Sequence, residues 1–114
     1  NGRYIKFDDG TIICYMTKPI NYQTEAQNIS FVYPAAIKSY AKRREANKNV
    51  SFSISSTTAY EGPELETAVD NPLITGFNVT HREDGTGCTV RVAYDRGTTT
   101  REVDLMVTVI GRWK

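Results

Sequence analysis

The stretch Val103-Asp104-Leu105-Met106-Val107-Thr108-Val109-Ile110 alternates without a break, and its period of two decides the fold class. Valine and leucine hold every odd position, so one face of a strand is wholly aliphatic. The even positions mix Met106 and Ile110 with Asp104, Thr108 and Arg112. A face of that kind needs a cover, from a packed sheet or from another subunit. The run then passes into Gly111, the single tryptophan Trp113, and Lys114.

The same period recurs upstream. Val50, Phe52 and Ile54 alternate with serines, Leu73, Phe77 and Val79 with Ile74, Asn78 and Thr80, and Val90, Val92 and Tyr94 with Thr89, Arg91 and Ala93. Asp8-Asp9-Gly10 joins Arg3–Phe7 to Thr11–Thr17 as a tight hairpin, and Glu83 to Gly87 joins two later strands the same way. Lys18 to Gln27, broken by Pro19, reads as a connection, as do the polar stretch from Thr57 to Asn71 and the turn at Asp95-Arg96-Gly97. Pro34 to Asn47 departs from the period. It has proline where a helix would start, good helix formers, and Ile37, Tyr40 and Ala41 on one side. A short helix at 35–45 is expected, with an extended crossing between sheets as the alternative.

Six to seven short strands without repeats predict an all-β antiparallel sandwich, a single domain over 1–114. Within it, residues 1–17 form an N-terminal hairpin and 27–114 the sandwich. The hairpin is apolar on both sides: Ile12, Cys14 and Met16 lie opposite Ile13 and Tyr15. That pattern points to subunit contact. The opening Asn1-Gly2 leads us to expect the end of a longer chain.

Fourteen basic and thirteen acidic residues nearly cancel, so no overall charge draws the chain to nucleic acid. No apolar run reaches the roughly 18 residues of a membrane span. Cys14 and Cys88 belong to no metal-binding spacing and read as buried thiols, with a disulfide closing a long loop as the alternative. His81, the only histidine, reads as a surface residue, and without a second one a nucleophilic triad has no base. The paired carboxylates Asp8-Asp9, Glu83-Asp84 and Glu64/Glu66 fall in turns, where acidic side chains serve local hydrogen bonding. The expectation is a protein that is not an enzyme and uses no cofactor or metal. Lys42-Arg43-Arg44, with Lys38 and Lys48 nearby, is the densest positive charge and suits anionic groups on a polysaccharide. Seven tyrosines are a rich supply for sugar stacking, with Tyr22, Tyr40 and Tyr60 in connections the better candidates for contact.

Four segments carry a family resemblance: Asn1 to Cys14 with its Arg3-Tyr4-Ile5-Lys6-Phe7 run, Phe31-Val32-Tyr33-Pro34-Ala35, Ile74-Thr75-Gly76-Phe77-Asn78-Val79, and the closing Val109-Ile110-Gly111-Arg112-Trp113-Lys114. In that order they resemble the C-terminal receptor-binding tip domains of phage, prophage or R-type bacteriocin tail fibres, which are similar to H-type lectin-like sandwiches. The resemblance implies a homotrimer at the fibre tip of a virion, made in the bacterial cytoplasm and acting outside the host cell. It implies binding of a bacterial surface polysaccharide or lipopolysaccharide, with no nucleic acid and no membrane insertion. The alternative is a structural cap that trimerises without touching the receptor. Strand parity puts the Asp8–Gly10 turn, the 34–48 segment, the Glu83–Gly87 turn and the C-terminus at one end, and the N-terminus at the other. On that reasoning Tyr40, Lys42, Arg43, Arg44, Asp8, Asp9, His81, Arg82 and Trp113 are the expected receptor-binding residues.

Overall fold

The computed structural model describes residues 2–21, 26–56, 74–94 and 102–114. Seven strands and one helix follow in the order β1 (Arg3–Lys6), β2 (Thr11–Asn21), β3 (Gln27–Val32), α1 (Arg43–Asn49), β4 (Ser51–Ser56), β5 (Ile74–His81), β6 (Gly87–Tyr94) and β7 (Glu102–Arg112). They form a four-stranded sheet, β1-β2-β7-β4, and a three-stranded sheet, β3-β6-β5, with every described pairing antiparallel. The fold is the all-β sandwich that the alternation predicts.

The core is what the odd positions of β7 specify. Val103, Leu105, Val107 and Val109 are buried, and the register sets Met16 opposite Val107 and Cys14 opposite Val109. Val90, Val92 and Phe31 close over them from the smaller sheet. Each such aliphatic side chain contributes about 1.5–3 kcal/mol on burial. Cys14 and Cys88 are unbonded and fully buried within this cluster, as small hydrophobes. Burial pushes both thiols up from their ordinary pKa.

Three expectations need correction. The first hairpin forms, but β2 also pairs with β7 over its whole length, so the sandwich is not confined to 27–114. That strand also runs through Pro19, which stands opposite Asp104. Beyond Tyr15, β2 has no described neighbour on its β1 side, so a residue lacking an N–H is tolerated there. The helix lies at Arg43–Asn49 rather than 35–45. Ile37, Lys38 and Tyr40 give their N–H groups to other segments, and Ile37 buries its side chain in the core. Tertiary hydrogen bonds thus override local helix propensity. Finally, the N-terminus is not at the far end: Arg3 stands opposite Tyr15, part-way along β2.

The two outer faces differ in kind. On the larger sheet Ile5, Ile13 and Ile110 stand side by side across three strands, with Ile5, Tyr15 and Ile110 each about two-fifths or more exposed. On the smaller sheet the corresponding rows are Asn28–Arg91–Asn78 and Ser30–Thr89–Thr80. Within this chain, then, the second face of β7 stays uncovered by any described element. Leu73, expected in the fifth strand, and the loops around Tyr22, Tyr60, Glu64, Glu66 and Arg96 lie outside the described residues.

Candidate functional site

Strand direction brings four segments to one end of the sandwich, and backbone hydrogen bonds tie them together. The Trp113 N–H donates to the Gly10 carbonyl at 2.8 Å, joining the C-terminus to the β1–β2 turn. Lys38 donates to the Arg112 carbonyl at 2.7 Å, and Ile37 and Tyr40 donate to Gly85 and Glu83 at 3.0 and 3.1 Å. Residues 37–40 are therefore a strap laid between the end of β7 and the β5–β6 turn. Gly85, at φ +78°, makes this approach possible, because a Cβ there would collide with the Ile37 carbonyl.

Between the strap, α1 and Arg112 lies an open cleft of about 620 Å³. Lys38, Lys42 and Arg112 bring three positive charges to its lining and Glu45 one negative, with Ser39, Tyr40, Ala41 and Asn49 completing it. Arg112 is held in place by a 2.6 Å hydrogen bond from Nη2 to the Asp9 carbonyl. Tyr40 is half-buried against the core, and the Lys38 ammonium sits 5.8 Å from its ring centroid. Asn49 donates to the Glu45 carbonyl at 2.7 Å, across the face of α1.

Of the expected contact residues, Tyr40 and Lys42 line this cleft. Arg43 and Arg44 are exposed on α1 and do not line it. Asp8, Asp9 and Arg82 lie in exposed turns at the same end. The Thr11 N–H and hydroxyl hold the Asp9 carboxyl below the usual carboxylate range, helped by Arg112 and Lys114. Thr86 does the same for Asp84 through its hydroxyl and N–H, at 2.7 and 3.0 Å. Both carboxylates are fixed in the ionised form, the opposite of what a general acid needs. Trp113 is half-buried, and its indole N–H donates to the Phe7 carbonyl at 2.9 Å. The ammonium groups of Lys6 and Lys114 each lie 5.1 Å from its ring centroid.

His81 is not a surface residue. Register sets it opposite Cys88 on the inward side of β5, where it is 4% exposed. The Tyr33 hydroxyl lies 2.8 Å from Nδ1, and the two rings stack at 5.7 Å. Burial pushes the imidazole below its ordinary pKa, against a weaker pull from Asp84. His81 supports the end of the sandwich from beneath and offers nothing to a ligand outside. Sequence reasoning missed Ser39, Glu45, Asn49 and Arg112 as lining residues. Parity had already placed Arg112 at this end, but only the bend of the strap decides which side chains share a hollow.

No protein-family model matches this chain, and neither does any curated protein. Among solved structures, it is similar in fold to a C-terminal fragment of the P. aeruginosa R1 pyocin fibre, with a TM-score of 0.63 and 15% identity. That match covers 96% of this chain and 26% of the fibre fragment, so the chain spans about a quarter of its length. It is also similar to an N-truncated R1-type pyocin tail fibre, with a TM-score of 0.62 and 14% identity, over 96% of this chain and 79% of that one. At this identity the likeness is one of fold: the sandwich is of the kind found in pyocin tail fibres.

Proposed function

We propose that this chain is the receptor-binding tip of a phage, prophage or bacteriocin tail fibre, and that it binds a bacterial surface glycan as a homotrimer. The observation that carries the reading is the shared fold, which extends over 96% of the chain in both pyocin tail fibre structures. The uncovered row Ile5–Ile13–Ile110 supports assembly, since an exposed apolar row across three strands suits a subunit contact. An open cleft that combines a tyrosine with charged and polar side chains suits weak sugar binding, which several copies per particle would make useful. The same apolar row favours a second reading, a structural cap that trimerises without touching the receptor.

The site on this reading is the strapped end, with Tyr40 and Lys42 in contact, and Arg43, Arg44, Asp8, Asp9, Arg82 and Trp113 around it. No cofactor, metal, nucleic acid or membrane insertion is part of the proposal, and the fibre acts outside the host. Incubation of the purified protein with bacterial cells and extracted lipopolysaccharide tests it. Adsorption with the polysaccharide left at full length is expected. A shortened polysaccharide would mean a depolymerase, and no adsorption by an intact trimer would leave the structural cap.

A further inference from the structure

We propose that the cleft between the strap and α1 selects an anionic sugar, one carrying a carboxylate or a phosphate; this rests on the reading that the strapped end meets a surface glycan. The charge of the lining is lopsided, with Lys38, Lys42 and Arg112 against Glu45 alone. The Asp9 carboxylate draws on the charge of Arg112, whereas among the described residues Lys38 and Lys42 form no ion pair. Three cations around one hollow repel each other, and an anion seated among them relieves that repulsion while gaining charge-assisted hydrogen bonds.

The guanidinium is also positioned in advance. Its bond to the Asp9 carbonyl uses one N–H of Nη2 and anchors the group, leaving other N–H donors for a ligand. A donor held in place loses less freedom on binding than a free lysine does. Lys38 is steadied over the Tyr40 ring. Ser39 and Asn49 add neutral polar groups of the kind that meet sugar hydroxyls. Arg112 also borders a second hollow of about 340 Å³ with Lys48 and Asn47. One guanidinium shared by two hollows suits neighbouring units of a chain better than a single free ion.

The test is equilibrium binding of the full-length chain to three oligosaccharides of equal length: neutral, uronate-containing and phosphorylated. At about 50 mM salt the acidic ligands should bind about tenfold or more tighter than the neutral one, and the preference should shrink at about 500 mM. Lys38→Gln with Lys42→Gln, both at exposed positions, should abolish the preference. Lys18→Gln with Arg91→Gln removes equal charge at exposed positions away from the cleft and should preserve it. The tighter of the two acids identifies the anionic group. A preference unchanged in the Lys38, Lys42 pair, or lost equally in the Lys18, Arg91 pair, overturns the proposal. Equal binding of all three ligands overturns charge selection and leaves glycan binding standing. Binding of none by a folded trimer overturns both.

Discussion

Two single residues carry more of the strapped end than their place in the sequence suggests. His81 ends an alternating run, and beside Arg82 it reads as solvent-facing. What the run does not reveal is that the inward row continues two residues past Val79, to a position opposite Cys88. There the imidazole meets Tyr33, and its Nε2 has no hydrogen-bond partner among the described residues. Protonation would bury a charge. A folded-state pKa below the ordinary value of about 6.5 means that this contribution is complete above that pH and is lost as pH falls below it. Thermal unfolding at pH 7.5 and 5.0 should therefore show a steeper loss for the natural protein than for His81→Gln. Equal losses would contradict the account. Gly85 is the second such residue. Gly85→Ala combines a left-handed backbone with a collision at Ile37, and should cost about 2–3 kcal/mol in denaturant unfolding. An unchanged midpoint would show that the strap is not anchored there.

At the level of elements, the strands were legible and the exceptions have identifiable causes. Alternation identified the buried faces of β4, β6 and β7 because a half-buried strand must repeat every two residues. The helix was displaced because Pro34 and the helix formers after it state only a local preference. Ile37, Lys38 and Tyr40 find partners in distant segments that no local pattern encodes. β2 was cut short at Pro19, since proline counts as a breaker until the open edge of the strand is known. The outer face of the larger sheet was anticipated as a contact from Met106 and Ile110, and the register gathers it into one row with Ile5 and Ile13. If that row is a subunit contact, Ile110→Lys should reduce the assembly in sedimentation to a single chain of 12.8 kDa. It should also make the melting temperature independent of protein concentration. A variant that keeps the mass of the natural assembly would place the contact elsewhere.

For the molecule as a whole, parity was the most productive inference available from sequence. It gathered the Asp8–Gly10 turn, the strap, the Glu83–Gly87 turn and the C-terminus at one end, and backbone bonds join all four. It could not supply depth, so His81 was placed among surface residues, nor direction around the rim, so Arg112 was passed over. Two kinds of surface result: an apolar sheet face suited to other copies, and a cationic end with a cleft suited to a ligand. That division of labour is the central claim, and binding to a panel of bacterial lipopolysaccharides tests it most directly. The natural protein should bind at least one member. The Lys38→Gln, Lys42→Gln pair should weaken that binding about tenfold or more, while Arg91→Gln on the polar face of the smaller sheet should leave it unchanged. Binding that survives in the lysine pair and disappears with Arg91→Gln would contradict the claim.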